Sequence, residues 1–370
     1  MNKPKRILHI VGAMNRAGTE TMLMNIYRNI NHEKVQFDFI SYSHIDAHYD
    51  NEIKSLGGRV IKLSNTQSIK ELVSVIKKYG PYEAVHSHTL FHCGVANLAA
   101  KLAGIKIRVA HAHTTLYKSD SVLRKIYING MRNIILSTST HLLACSNEAG
   151  KYLFGKNAIK KSKYNFFPNI IDYSIFLKVD NDQINRFKNE AFLEDGIVIG
   201  HIGRFIESKN HKFILEILKS LLNRDPNITL LLVGDGDLRK EIEERAKNEN
   251  IYNNLRFVGN RNDISTMLHC MDVFVFPSIY EGLGLVLLEA QASGLHCIVS
   301  EAIQQEADLD VGLFTRLKLN DGAEVWANKI IELARQKDKE TKTEKLVDSF
   351  KKKGYEITKG ISNLMDIYQV

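Results

Sequence analysis

The stretch Pro277-Ser278-Ile279-Tyr280-Glu281-Gly282-Leu283-Gly284-Leu285-Val286-Leu287-Leu288-Glu289-Ala290 combines a glycine-rich turn, a helix start and two carboxylates. The apolar run Val273–Phe276 before it has the composition of a buried parallel strand, and Leu285–Ala292 after it has the composition and length of a helix. Gly282, Leu283 and Gly284 therefore stand at the carboxyl end of a strand. Glycines there let a ligand approach the backbone, and the unpaired N–H groups of a first helical turn attract a phosphate or diphosphate. If the intervening residues are all helical, Glu281 and Glu289 are separated by about 12 Å of axial rise. That is too far for two carboxylates sharing one proton or one attacking water, which argues against a hydrolase pair. It suits one acid at a transferring sugar and another on a ribose diol, so the segment reads as a cradle for a sugar nucleotide.

Three other loops have the same strand–loop–helix setting. Gly12-Ala13-Met14-Asn15-Arg16-Ala17-Gly18-Thr19-Glu20 is a second backbone-rich anion cradle. It lacks Gly-x-Gly-x-x-Gly, and no acid ends the second strand, which argues against a dinucleotide dehydrogenase. Gly203-Arg204-Phe205-Ile206-Glu207-Ser208-Lys209-Asn210 can bring two positive charges, from Arg204 and Lys209, onto a leaving diphosphate as its charge grows. Gly234-Asp235-Gly236-Asp237 invites a metal-binding Asp-x-Asp reading. Two His-x-His pairs, His86-Ser87-His88 and His111-Ala112-His113, invite another, but neither comes with the Asp, Glu or Cys spacing of a zinc site.

The Glu281-x7-Glu289 segment, with its glycines and preceding strand, resembles the C-terminal signature of retaining glycosyltransferases of family 4, and the resemblance spans nearly the whole chain. It implies an α/β protein of two Rossmann-like domains whose parallel sheets face a central cleft, the glycosyltransferase B-type fold. It implies that Arg204 and Lys209 match the family's Gly-Arg and Lys positions. Gly234 and Gly236 match its Gly-x-Gly turn under the nucleotide, which sets the Asp-x-Asp reading aside. Val258 and Gly259 are expected to flank the base. In the first domain the family has paired glycines near the donor diphosphate and the acceptor; here the first is Ala17, and Gly18 keeps the close-approach position. The family also carries a functional histidine near the reacting sugar at the end of the strand before Thr114 and Thr115. His113 is favoured over His111, which by alternation falls within the sheet.

Positioning these loops requires alternating elements. β-rich apolar runs at 6–11, 36–40, 59–63, 83–87, 106–110 and 141–145 alternate with helical patterns, as parallel βαβ units do. The pattern lapses at the charged, helix-like stretch 180–195, after Phe166-Phe167-Pro168-Asn169-Ile170-Ile171-Asp172. Strands at 197–202, 228–233, 255–258, 273–276 and 296–299 then follow. The expected organisation is an acceptor-binding domain at 1–172, a nucleotide-sugar-binding domain at 173–350, and a C-terminal helix at 351–370 packing back at the domain junction. At 370 residues the chain exceeds the about 250 to 300 that one core usually serves. Hydrophobic content of 44% and charged content of 25% are those of a globular protein.

Cys93, Cys145, Cys270 and Cys297 are far apart and form no Cys-x-x-Cys pair, which suits free thiols in a reducing compartment. The start, Lys3 to Val11, is too short in its apolar part for a signal peptide, and no run approaches a membrane span, so a cytoplasmic protein is expected. The formal charge of +8 concentrates in 101–132, where seven Lys or Arg face only Asp120, and in 151–164, which has five Lys and no acid. Contact with anionic lipid at the inner face of the cell membrane, or a solvated surface, are both open readings. Nucleic acid is not expected.

The function expected from the resemblance is metal-independent, retaining transfer of a hexose-type sugar from a nucleoside diphosphate sugar, UDP by default, to a glycan or lipid-linked acceptor in bacterial surface or exopolysaccharide synthesis. No cofactor and no metal is expected. Arg204 and Lys209 neutralise the diphosphate, Gly282 to Gly284 bind it, Glu289 holds the ribose, and Glu281 and His113 sit at the sugar. The alternatives are a nucleotide-sugar 2-epimerase of the same fold and a non-catalytic nucleotide-sugar-binding protein.

Overall fold

The computed structural model of the protein describes residues 3–63, 65, 68–115, 121–193, 196–336 and 343–370. Lys118 and Asp120 of the first basic stretch and Glu194 and Asp195 of the charged stretch lie outside these. The chain divides into two compact units, Met1–Ile171 with Gly354–Val370, and Asp172–Lys353.

The first unit is built on a seven-stranded parallel sheet: β1 (Lys5–Val11), β2 (Val35–Ser41), β3 (Arg59–Lys62), β4 (Ala84–Ser87), β5 (Ile107–Ala112), β6 (His141–Ala144) and β7 (Tyr164–Phe166), in the order β3-β2-β1-β4-β5-β6-β7. The second has six parallel strands, β8 (Val198–Ile202), β9 (Thr229–Val233), β10 (Leu255–Phe257), β11 (Val273–Phe276), β12 (His296–Ser300) and β13 (Phe314–Leu317), in the order β10-β9-β8-β11-β12-β13. Every strand expected from the sequence is present to within two residues at either end, and β7 and β13 are additional.

Each order runs outward in both directions from one central pair, β1 with β4 and β8 with β11. At such a pair successive crossovers leave to opposite faces of the sheet, which opens a crevice outside the strands' carboxyl ends. The loops singled out above follow these strands. Gly12 to Glu20 follows β1, Gly203 to Asn210 follows β8, and Pro277 to Gly284 follows β11.

Continuous burial of the strands follows from helices on both faces. In the second unit, Ile199, Leu230, Leu232, Val273 and Val275 pack with Ile214, Leu218 and Leu221 of helix His211–Leu222 and with Trp326 and Ile330 of helix Ala323–Ala334. In the first, Leu8, Ile10, Ile40 and Val85 pack with Leu72 and Ile76 of helix Ile69–Tyr79 and with Ala96 and Ala99 of helix Cys93–Leu102. The opposite face of this sheet is aromatic and polar. There His9 lies 4.4 Å, centre to centre, from Phe37, which stacks on Tyr27 of helix Gly18–Asn29. The last helix, Ile357–Tyr368, also covers this face: it belongs to the first unit, and its Tyr368 hydroxyl lies 2.6 Å from His86 Nδ1. No helix among the described residues is long and apolar enough to cross a membrane.

One buried charge fixes the β1–β2–β3 edge. Asp38 is fully buried and accepts from Arg6 at 2.6 Å, from the Arg59 side chain at 2.5 and 2.9 Å, from the Arg59 backbone N–H at 3.0 Å and from the Tyr82 hydroxyl at 3.0 Å. Removing one member of such a network strands the others. Asp38→Ala is expected to lower unfolding free energy by about 3 to 5 kcal/mol, read as a drop in the urea midpoint at unchanged slope; a loss within experimental error would show that the network is not structural.

Candidate functional site

The crevice between β8 and β11 gathers most of the expected site residues. Lys209 comes from the loop after β8 and Glu281 from the loop after β11. Their side chains meet at 2.5 Å, each about one-seventh exposed (15% and 14%). The Lys209 ammonium also lies 4.4 Å from the centre of the Phe276 ring at the end of β11, a cation–π contact. Backbone bonds tie the same loops together: Ile279 N–H donates to the Ser208 carbonyl at 2.8 Å and Asn210 Nδ2 to the Pro277 carbonyl at 3.3 Å. From the other side, Gln304 Nε2 donates to the Glu281 carbonyl at 3.3 Å. Arg204 is exposed, and among the described residues no hydrogen bond or ion pair engages its guanidinium.

The neighbouring glycines make room by packing backbone on backbone. A Cβ on Gly234 would lie 2.2 Å from the Gly203 carbonyl oxygen, so the loop after β9 can lie under the loop after β8 only without a side chain. Phe205 N–H donates to the Asp235 carbonyl at 3.0 Å, and Gly234 N–H to the Gly259 carbonyl at 2.8 Å, next to Val258 at the end of β10. Gly236 seats against the backbone of Phe205. The Asp235 carboxylate accepts from the Gly236 N–H at 2.8 Å and faces Arg239 at 3.6 Å.

Helix Leu285–Ala292 begins at Gly284, which has φ +77° and offers no capping side chain. Its first-turn N–H groups thus point at the loop without a side-chain cap, an arrangement suited to anions. Gly282 and Leu283 are buried. Because the helix starts only at Leu285, Glu281 sits in the loop, and the spacing of about 12 Å expected for an all-helical segment does not apply. Glu289 is the fifth residue of the helix, just over one turn in, where burial pushes its carboxyl up to about 7.

In the first unit Gly18 is the exposed first residue of helix Gly18–Asn29, after Ala17 in extended backbone. His111 lies inside β5 and is buried, whereas His113 lies just past its end and is partly buried. Sequence reasoning treated the His-x-His pairs singly. Parallel pairing of β1, β4 and β5 puts His9, His86, His88, His111 and His113 on one sheet face, with His88 Nδ1 2.7 Å from His113 Nε2. Burial lowers the pKa of each, that of His113 to about 3, so these imidazoles are neutral at physiological pH. The signal in the sequence was two His-x-His strand ends plus His9 at a third; adjacency supplied the rest.

Comparison with known proteins gives matches along almost the whole chain. The family described as Glycosyltransferase Family 4 matches residues 16–174, and that described as Glycosyl transferases group 1 matches residues 182–356. The chain is 39% identical over 373 residues to the putative glycosyltransferase EpsF of Bacillus subtilis (strain 168), covering 99% of this chain and 97% of that protein. It is 29% identical over 244 residues to the UDP-Gal:alpha-D-GlcNAc-diphosphoundecaprenol alpha-1,3-galactosyltransferase of Escherichia coli, covering 64% of this chain and 63% of the relative. Among solved structures it resembles Anabaena HepE in complex with UDP-glucose, with a TM-score of 0.80 at 16% identity over 98% of this chain and 99% of that one.

His211 opens helix His211–Leu222 two residues after Lys209, with its ring stacked 4.1 Å from Phe205 and both ring nitrogens buried without a partner. Burial, then the Lys209 charge, lowers its pKa to about 3. Below about pH 6.5 the unfolded chain takes up a proton that the folded one refuses, so this stability is complete above 6.5 and falls as pH drops. Between pH 7.5 and pH 5 the protein is expected to lose about 2 kcal/mol more than His211→Phe does, measured by urea unfolding at both pH values. Parallel losses in the two proteins would show that His211 is not the titrating group.

Proposed function

Because the chain belongs to the family 4 glycosyltransferases, of the two-domain B-type fold, we propose that it moves a hexose-type sugar from a UDP-sugar to an acceptor hydroxyl with retention of anomeric configuration, in synthesis of a bacterial surface or exopolysaccharide. The observation that carries this reading is the Lys209–Glu281 pair across the β8/β11 crevice, with the exposed Arg204 in the same loop as Lys209. Lys209 and Arg204 bring positive charge to the diphosphate as the glycosidic bond breaks. The backbone at Gly282 to Gly284 binds the same group through N–H donors, Gly234 and Gly236 form the turn under the nucleotide, and Val258 flanks the base. Glu289 accepts from the ribose hydroxyls. Glu281 is assigned to the sugar. His113, in the first unit with Gly18, is a neutral hydrogen-bonding group for sugar hydroxyls.

Two cationic side chains on the diphosphate take the part a divalent ion has in other transferases, so transfer proceeds without a metal. The acceptor hydroxyl attacks the face from which the nucleotide leaves, and the departing phosphate oxygen takes its proton. That route uses no carboxylate nucleophile. The Escherichia coli relative, by its name, acts on a diphosphoundecaprenol-linked sugar, which favours a lipid-linked acceptor here. Lys209→Ala, folded by circular dichroism, is expected to lose about 100-fold or more in kcat/KM, while the native protein transfers fully in excess chelator and gives an anomerically retained product by NMR. Near-normal turnover by folded Lys209→Ala would remove the diphosphate assignment.

A lipid-linked acceptor calls for a surface that meets the membrane. Helix Val122–Thr138 exposes Val122 (68%), Leu123 (80%), Ile126 (64%) and Tyr127 (48%) beside Arg124 and Lys125. Apolar side chains at this spacing with flanking cations suit insertion at an anionic interface. Of the second basic stretch, Lys163 is taken up by the Ser139 carbonyl at 3.1 Å and Lys151 by Glu148 at 2.5 Å, so it contributes less. The protein is expected to sediment with anionic vesicles and not with neutral ones, and Leu123→Ser with Ile126→Ser to abolish this. Equal sedimentation by the double variant would exclude the helix.

A further inference from the structure

Three imidazoles, His9, His86 and His111, occupy strand positions that aliphatic side chains usually fill, and two more, His88 and His113, stand just past the ends of β4 and β5. His86 and His88 are 4.2 Å apart, ring centre to ring centre, His111 and His113 4.0 Å, and His88 and His113 5.0 Å. Two triads, His9/His86/His88 and His88/His111/His113, each bring one ring nitrogen per residue to within 4.8 Å of the others. We propose that His88, His111 and His113 bind a divalent transition metal ion of the Zn²⁺ or Co²⁺ class, with three imidazole ligands and a fourth position open.

Three observations select this triad. His88 and His113 are partly exposed, which leaves an entry path, whereas His9 and His86 are sealed in the core. His111 Nε2, the atom this ring would offer the ion, is buried without a hydrogen-bond partner of ordinary geometry, and the His113 ring has the Asn169 side chain as its neighbour. The inner histidines are already placed as outer partners: His9 Nδ1 is 3.1 Å from His88 Nε2, and His86 Nε2 is 3.1 Å from His111 Nδ1, with the Tyr368 hydroxyl behind His86. These bonds fix ring orientation and leave the far nitrogens, His88 Nδ1 and His111 Nε2, as donors, which is the support metal-ligating histidines ordinarily have.

The donor chemistry sets the ion class. Imidazole suits zinc, cobalt, nickel and copper, while magnesium and calcium require oxygen ligands. Burial holds the rings in the neutral form that ligation requires. With metal–nitrogen bonds of about 2.0 to 2.1 Å in a tetrahedral site, ligand nitrogens stand about 3.3 Å apart. His88 Nδ1 and His113 Nε2, now at 2.7 Å, would part by about 0.6 Å to reach that spacing. Metal capture here asks nothing of the diphosphate residues in the second unit, so those assignments fail separately; it takes up His113, whose contact with the sugar belongs to the metal-free form. Transfer in excess chelator describes the metal-free form.

The test is titration of the untagged full-length chain with Co²⁺ alone, then displacement by Zn²⁺. The expected result is one equivalent per chain, with the visible absorption of four-coordinate Co²⁺ bleached by Zn²⁺. His88→Gln should abolish binding, His9→Phe should weaken it by about 10- to 100-fold, and His141→Gln, outside the cluster, should leave it intact. Crystals of the native protein soaked in Zn²⁺ should give an anomalous peak among the three rings, which decides the matter if His88→Gln does not fold. Absence of stoichiometric uptake, a peak elsewhere, or full uptake by folded His88→Gln would overturn the proposal.

Discussion

The second unit depends on one desolvated ion pair. Lys209 and Glu281 are mostly buried at the carboxyl ends of the two strands where the sheet order reverses. Each charge alone would be costly in that position, and pairing offsets the cost. The pair also dictates the backbone around it. The loops after β8 and β11 must approach closely enough to bond Ile279 to Ser208 and Asn210 to Pro277, and the loop after β9 must lie under the first with no side chain at Gly234. Helix Leu285–Ala292 then starts at an uncapped glycine facing the same space. Backbone N–H groups and the Lys209–Glu281 pair are thus held in one crevice by the fold itself.

The first unit solves a different problem. One face of its sheet is an aliphatic core, and the other carries five imidazoles among Phe37, Phe39, Tyr27 and Tyr368. Neutral imidazole has one donor and one acceptor, so a row of rings can satisfy itself by passing hydrogen bonds along, as His9, His88 and His113 do, and as Tyr368, His86 and His111 do. The C-terminal helix closes this face although it follows the second unit in sequence.

Much of the architecture was legible because parallel strands covered on both faces are written as short apolar runs. Runs such as Val273–Phe276 admit no other reading beside a glycine turn and a helix. β7 (Tyr164–Phe166) and β13 (Phe314–Leu317) escaped because they are outermost in their sheets, largely unburied and mixed in polarity, so they carry no apolar signature. The site was legible as loops rather than as contacts. Arg204, Lys209, Glu281 and Glu289 stood out by type and position, but Phe276 and Gln304 did not, since a core phenylalanine and a loop glutamine carry no mark of their surroundings. The all-helical spacing of Glu281 and Glu289 misled because Gly284, at positive φ, delays the helix start.

The sequence by itself determined the strand and helix alternation, the order of the glycine loops and the residue types able to meet a diphosphate, because these depend on local composition and period. Tertiary structure alone decided that Lys209 pairs with Glu281 and that histidines from β1, β4 and β5 join in one cluster. Those facts depend on which strands become neighbours. In a doubly wound sheet, strands adjacent in space are separated in sequence by whole crossover units, so no window along the chain contains both partners.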